Sequence, residues 1–241
     1  MMTEDLMWAP APGWLPAGVR VYAIGDAHGC AGRLAEMHHR ISTHAAASKP
    51  AKLLLVHLGD YVDRGPDSAG VIALLRAPVL VPGAESVSLM GNHEQMMLAA
   101  LDAAADDRIR GFWLDNGGAA TLASYGADAE DSGTWSLVPA GDRGWLRRLR
   151  PSLALGGYFF AHAGVRPDLP LDRQEPVDLA WIREPFLSWQ GTLPAVVVHG
   201  HTPVRAPEVR SHRIGVDTGA VFGGALTCAV LEAERIGFLT V

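Results

Sequence analysis

Lys52-Leu53-Leu54-Leu55-Val56-His57-Leu58-Gly59-Asp60-Tyr61-Val62-Asp63-Arg64-Gly65 is the segment from which the architecture can be read. Lys52–Leu58 is a short apolar run of the kind found in strands covered on both faces, and it stops at a glycine and a carboxylate. Such a strand needs further layers on each side, and the flanking sequence supplies them. Upstream, Val19–Ile24 is rich in β-branched and aromatic residues and also stops at Gly-Asp. Between the two, Ala31–Ala47 places Leu34, Met37 and Ile41 on one helical stripe. Downstream, Asp67 can cap a helix over Ser68–Arg76, Glu85–Met90 reads as a third strand, and a helix starts near His93 and runs through Gln95–Ala104.

Farther out the pattern changes. Residues 1–18 form a Pro- and Trp-containing lead-in, ordered where Trp8 or Trp14 packs on the body. Between about 106 and 150 the spacing predicts short helices around Arg108–Leu114, Ala119–Ser124 and Gly141–Leu149, broken at Gly117-Gly118. This stretch reads as an insertion packed on the core. Strands return at Tyr158–Ala161, Ala195–Val198, Arg213–Val216, Ala225–Leu231 and Ile236–Val241. A β/α first half and a mostly β second half pack most simply as two sheets flanked by helices, an α/β (α+β) class with residues 19–241 as a single domain.

Composition narrows the function. The 241 residues are 49% hydrophobic, enough for a sizeable core, and the formal charge of −6 argues against a nucleic acid duplex as partner. No apolar run approaches the roughly 20 residues that span a bilayer, so no membrane partner is expected. The first 20 residues, with three Pro and no basic lead, do not read as a secretory signal. Cys30 and Cys228 make no disulfide framework and fit a reducing, cytoplasmic setting.

Five strand-like runs end in turns that carry metal-type ligands. They are Gly25-Asp26-Ala27-His28-Gly29, Gly59–Gly65, Gly91-Asn92-His93-Glu94, Ala161-His162-Ala163-Gly164 and His199-Gly200-His201-Thr202. Pockets in such folds collect at strand ends, so distant segments can converge. Carboxylate, imidazole and amide carbonyl together suit manganese, iron or zinc better than calcium or a structural zinc.

In order and wording these turns resemble the GDxHG, GDxxDRG, GNHE and two later His motifs of the phosphoprotein phosphatase family of metallophosphoesterases. The likeness covers about residues 19–232 and is greatest to the small bacterial and bacteriophage protein phosphatases. Asn116-Gly117-Gly118, His201-Thr202-Pro203 and Asp217-Thr218-Gly219-Ala220 are similar to that branch. Pro203 stands where many other metallophosphoesterases carry a further His, which favours the protein phosphatases. The resemblance implies a calcineurin-like metallophosphoesterase fold with two divalent ions, manganese first and iron or zinc as alternatives. Asp26 and His28 would hold one ion, Asp60 would bridge, and Asn92, His162 and His201 would complete the second site, with His199 behind them.

It also implies a metal-activated water attacking phosphorus in line, with Arg64 and Arg183 holding the phosphoryl oxygens. His93 would protonate the leaving group and Asp63 would orient it. The expected activity is a serine/threonine, and also tyrosine, protein phosphatase acting on a phosphorylated protein. The alternatives are a symmetrical dinucleoside tetraphosphate hydrolase acting on a small nucleotide, and a metal-binding scaffold without turnover. No regulatory partner is specified. His38, His39 and His44 are expected to be solvated, His57 a packed strand residue and His212 a turn residue. The cluster Arg143, Arg147, Arg148 and Arg150 reads as a wet helix face, and Trp113 and Tyr125 as a wall over the site or as core.

Overall fold

The computed structural model describes residues 6–47, 50–79 and 81–241. In chain order the first elements are β1 (Ala9–Pro10), β2 (Val19–Ile24), α1 (Ala31–Ala47), β3 (Lys52–His57), α2 (Ser68–Arg76), β4 (Ala84–Ser88) and α3 (Asn92–Ala100). A helical segment follows, with α4 (Asp107–Trp113), α5 (Ala119–Ser124) and α6 (Ala140–Leu146). The remainder holds β5 (Ser152–Leu155), β6 (Tyr158–Ala161), α7 (Pro176–Trp181), β7 (Val196–His199), β8 (Glu208–Val209), β9 (Arg213–Gly215), β10 (Thr227–Glu232) and β11 (Arg235–Thr240).

Among the described residues one sheet has the order β1-β11-β10-β2-β3-β4 and the other β5-β6-β7-β9-β8. Alternation along each strand builds the layers. Val21, Ala23, Leu54, Val56, Ala229 and Leu231 face Tyr158, Phe160, Val196, Val198 and Ile214 of the second sheet. The opposite parity, Tyr22, Ile24, Leu53, Leu55 and Val230, meets Leu34, Met37 and Ile41 of α1 and Val71 and Ile72 of α2. On the far side Phe159, Ala161 and Val197 pack against Leu179 of α7 and against Phe186. The result is an α-β-β-α sandwich, held mainly by burial worth about 1.5–3 kcal/mol for each large apolar side chain.

Parallel pairing decides where the site lies. β2, β3 and β4 run parallel through registers such as Val21↔Leu54 and Leu54↔Glu85, as do β6, β7 and β9. Parallel strands send their C-terminal turns to one edge. Those turns are the ligand-bearing segments of the sequence.

Most elements lie where the periodicity puts them: β2, α1, α2, α5 and β6 have the expected bounds. Asp67 caps α2 by accepting from Gly70 N, as its position predicts. The break at Gly117 is real, with φ at 101° between α4 and α5, a conformation that suits glycine. α3 stops at Ala100, four residues short of the expected end. The histidines of α1 depart from expectation. His38 lies on the same buried stripe as Leu34 and Ile41, and its Nε2 sits 2.9 Å from His57 Nε2. His44 is half-buried and meets the Tyr22 hydroxyl at 2.7 Å, so of the three only His39 is exposed. His212 is buried, in a bend before β9. Arg147, Arg148 and Arg150 are exposed as expected, and Arg143 is half-buried.

Candidate metal centre

Asp60 is the hub of the site. It follows β3, is buried, and adopts φ 53°. His28 (φ 38°), Asp63 (φ 72°), Arg64 (φ 69°) and His201 (φ 65°) share this left-handed backbone. Such residues cost about 1–3 kcal/mol each and persist where surrounding structure holds them. Glu94, in the first turn of α3, does much of the holding. Its Oε2 accepts from Asp60 N at 2.9 Å and Gly91 N at 3.0 Å. Its Oε1 accepts from Tyr61 N at 2.7 Å and Val62 N at 3.2 Å. Two ligand turns are thereby locked to one carboxylate, which burial lifts to about 7.

Around this hub the turns converge. Asp60 Oδ2 lies 3.4 Å from His28 Nε2 and 4.0 Å from His93 Nε2, and Oδ1 lies 3.3 Å from His162 Nε2. Asn92 Oδ1 meets both His162 Nε2 and His201 Nδ1 at 3.0 Å. His201 N donates to Asp26 Oδ2 at 2.9 Å, tying the last His turn to the first Asp turn. Gly200 allows this approach, since a Cβ there would collide with Asp26 Oδ1.

The donor set fits a pair of cations. His28 Nδ1 and His162 Nδ1 lie 2.8 Å and 2.9 Å from the carbonyls of Val62 and Leu58. In His28 that bonding puts the proton on Nδ1 and leaves the Nε2 lone pair on the side of Asp60, whereas His162 Nε2 faces the oxygens of Asp60 and Asn92. Asp26 Oδ1 and His201 Nε2 are buried and have no hydrogen-bond partner. His28, Asp60 and His93 form one group, and Asp60, His162 and His201 another, with the ligand atoms in each within 4.8 Å of one another. The electrostatics agree. Burial and the neighbouring Asp217 push the Asp26 carboxyl well above its usual range. Burial would raise Asp60 too, but His162 and His93 hold it well below. Against its own burial, His162 is lifted by Asp60 to about 10, while burial lowers His28 and His201 to about 3. Excess buried carboxylate here calls for positive charge, and two neutral imidazoles are ready to bind it.

A second cluster adjoins this one. His93 Nδ1 meets Asp63 Oδ2 at 2.7 Å, and the His93 ring packs edge-on against His28 at 4.6 Å. Asp63 is wholly buried and raised by that burial. Trp113 Nε1 donates to both its oxygens at 3.0 Å, and Thr121 Oγ1 donates to Oδ1 at 2.7 Å. Arg64 is exposed, with Nη1 2.7 Å from His28 Nε2. Arg183 is exposed just beyond α7, and its charge contributes to lowering His201. His199 is set back, with its ring 5.1 Å from Phe186 and Nδ1 3.1 Å from Gly200 O.

The sequence reading did not assign roles to Glu94, Thr121 or Asp217. Glu94 was legible as the last letter of Gly-Asn-His-Glu, whereas Thr121 carries no local signal. Trp113 proves to be fully buried core that also grips Asp63, and Tyr125 is half-buried and donates to Asp142 Oδ2 at 2.9 Å.

A two-sheet sandwich that gathers paired His/Asp groups at its parallel strand ends defines a dinuclear metallophosphoesterase, a hydrolase. The chain belongs to the calcineurin-like phosphoesterase family, whose model matches residues 19–235. It is 34% identical over 220 residues to serine/threonine-protein phosphatase 1 of Salmonella typhimurium, covering 88% of this chain and 92% of that protein. It is 28% identical over 235 residues to the asymmetrical bis(5'-nucleosyl)-tetraphosphatase PrpE of Halalkalibacterium halodurans, covering 90% and 92%. A crystal structure provisionally named a diadenosine tetraphosphatase superposes with a TM-score of 0.64 at 25% identity, covering 93% of this chain and 98% of that one. No helix among the described residues is long and apolar enough to cross a membrane.

Proposed function

We propose that this hydrolase is a protein phosphatase that cleaves phosphomonoesters of serine and threonine, and of tyrosine as well. The observation that carries the reading is the His93–Asp63 pair at 2.7 Å, placed beside Asp60 with Arg64 next in sequence to Asp63. Asp26 and His28 are proposed to hold one cation, Asn92, His162 and His201 the other, and Asp60 both. We take the pair to be manganese, with iron or zinc as alternatives, on the mixed oxygen and nitrogen donors. Such ions lower the pKa of a coordinated water and neutralise phosphoryl oxygens. Arg64 and Arg183 supply planar, two-pronged donors to those oxygens. Asp63 holds the Nδ1–H of His93, which leaves Nε2 to deliver a proton to the departing oxygen. Trp113 and Thr121 fix Asp63 so that the imidazole does not turn away. Residues 19–241 are proposed to work as one catalytic domain with an insertion at about 106–150 and a lead-in at 1–18, in the cytoplasm.

The nucleotide reading has specific support, because a relative at 28% identity carries the tetraphosphatase name. That name is of the asymmetrical type, whereas the alternative that shares the sequence motifs is the symmetrical one. A substrate panel decides. Manganese-supplemented protein is assayed on phosphoserine, phosphothreonine and phosphotyrosine peptides beside a dinucleoside tetraphosphate. Orthophosphate from the peptides at the highest kcat/KM is expected. Dominant nucleotide cleavage would reverse the assignment, with two diphosphates marking symmetrical attack and a mono- and triphosphate marking asymmetrical attack.

A further inference from the structure

Beside Arg64 stands a ring that none of the above requires. Phe222 is 65% exposed, and its ring lies 5.5 Å from the Arg64 guanidinium carbon. Single exposed apolar residues are ordinary on protein surfaces. This one differs because the loop that carries it is braced and it borders the site. Phe222 N donates to Gly219 O at 2.9 Å, and Gly224 N to the same carbonyl at 3.0 Å. Thr218 Oγ1 donates to Ala225 O at 2.6 Å, and Arg33 reaches from α1 to Gly224 O. Gly219 and Gly223, at φ 72° and 90°, turn the chain at either end of Ala220–Phe222. A loop this closed fixes the backbone position from which the ring projects beside Arg64. The other exposed phenylalanine near the site, Phe112, already stacks on Trp181 at 6.3 Å and 26°. No aromatic ring stacks on Phe222 among the described residues.

We propose that Phe222 is a specificity-determining platform that stacks a planar, aromatic leaving group while Arg64 beside it holds the phosphoryl oxygens. The inference rests on the phosphate-binding role proposed for Arg64. Its chemistry is general: an offset or edge-on aromatic pair adds about 0.5–1.5 kcal/mol beyond burial, or about 2- to 12-fold in affinity. An aliphatic leaving group such as a serine side chain offers no π-face and gains none of this. The ring of a phenyl ester and the base of a nucleotide share the required face but differ in reach, since a ribose separates base from phosphate.

Binding is measured by calorimetry on manganese-supplemented protein with phenylphosphonate and methylphosphonate. Adenosine 5'-monophosphate and ribose 5-phosphate form the nucleotide arm. The wild type should prefer the aromatic member of one pair by about 2- to 12-fold. Which pair shows the preference identifies the source of the ring. In Phe222→Ala that ratio should fall toward one, and Phe222→Trp should restore it. Circular dichroism melts check that the variants fold. Equal affinities within both pairs in the wild type, or a ratio that Phe222→Ala leaves intact, would overturn the platform while leaving the phosphate site standing. No binding of any of the four ligands would overturn the phosphate site, and the platform with it.

Discussion

At the residue scale the site divides labour between groups that would hold charge and groups that would move a proton, and substitutions should separate them. Asp60→Asn removes the carboxylate shared by both His groups. It should abolish metal retention and turnover together, as metal analysis of the purified variant beside its kcat will show. His93→Ala should lower kcat by about 10²–10⁴-fold while keeping the metal content of the wild type. If both variants stay fully active, the division of roles is wrong. Glu94 belongs to neither group. Four backbone N–H donors converge on it. Glu94→Gln sets an amide N–H₂ against at least one of them, at a cost of about 1–3 kcal/mol. Thermal melts should show Tm lower by about 2–12 °C, given about 2–4 °C per kcal/mol for a chain of this size.

At the scale of elements, the contact between α1 and β3 makes folding sensitive to acid. Burial keeps His57 neutral down to about 3, and it lowers His38 as well. In the unfolded chain each titrates near about 6.5. Below that pH the unfolded state binds more protons than the folded one, so stability falls as pH drops from about 6.5 toward 3. Each such group contributes up to about 1.4 kcal/mol per pH unit. Urea unfolding between pH 8 and 5 should give a slope that is smaller by about one proton in His57→Leu. An unchanged slope would mean the pair is not held neutral.

The same helix shows what the sequence does and does not reveal. The stripe Leu34, Met37, Ile41 announced α1 and its buried face, and His38 falls on that stripe. Distance from every ligand turn suggests a solvated residue, but its place on the stripe decides, because burial follows the helix face. β5, β8 and α7 went unseen for a different reason. The strands are edge strands of four residues or fewer, and α7 has six residues. Pieces so short give too few repeats for a period to register, and they lack the markers that reveal the equally short β6 and α5, an aromatic run before a His turn and the Gly117-Gly118 break. The five turns were legible because each carries its chemistry within a few residues. The grip of Thr121 on Asp63 spans 58 positions, and no local pattern encodes it.

At the scale of the whole molecule, the sandwich brings Asp26, Asp60, Glu94 and Asp217 into one buried region at the junction of its sheets. Chelation should therefore cost stability as well as activity. Adding back manganese should raise Tm with concentration, by the equivalent of about 2.7 kcal/mol at one hundred times Kd. Calorimetric scans that do not respond to manganese would contradict a cation-holding centre. The indole and hydroxyl that clasp Asp63 come from α4 and α5, in the helical segment between β4 and β5. That segment is thus no detachable ornament. An engineer who trims it, or exchanges it with a relative's, would also loosen Asp63 and with it His93, the proposed proton donor, unless the graft brings its own tryptophan and threonine to the same carboxylate.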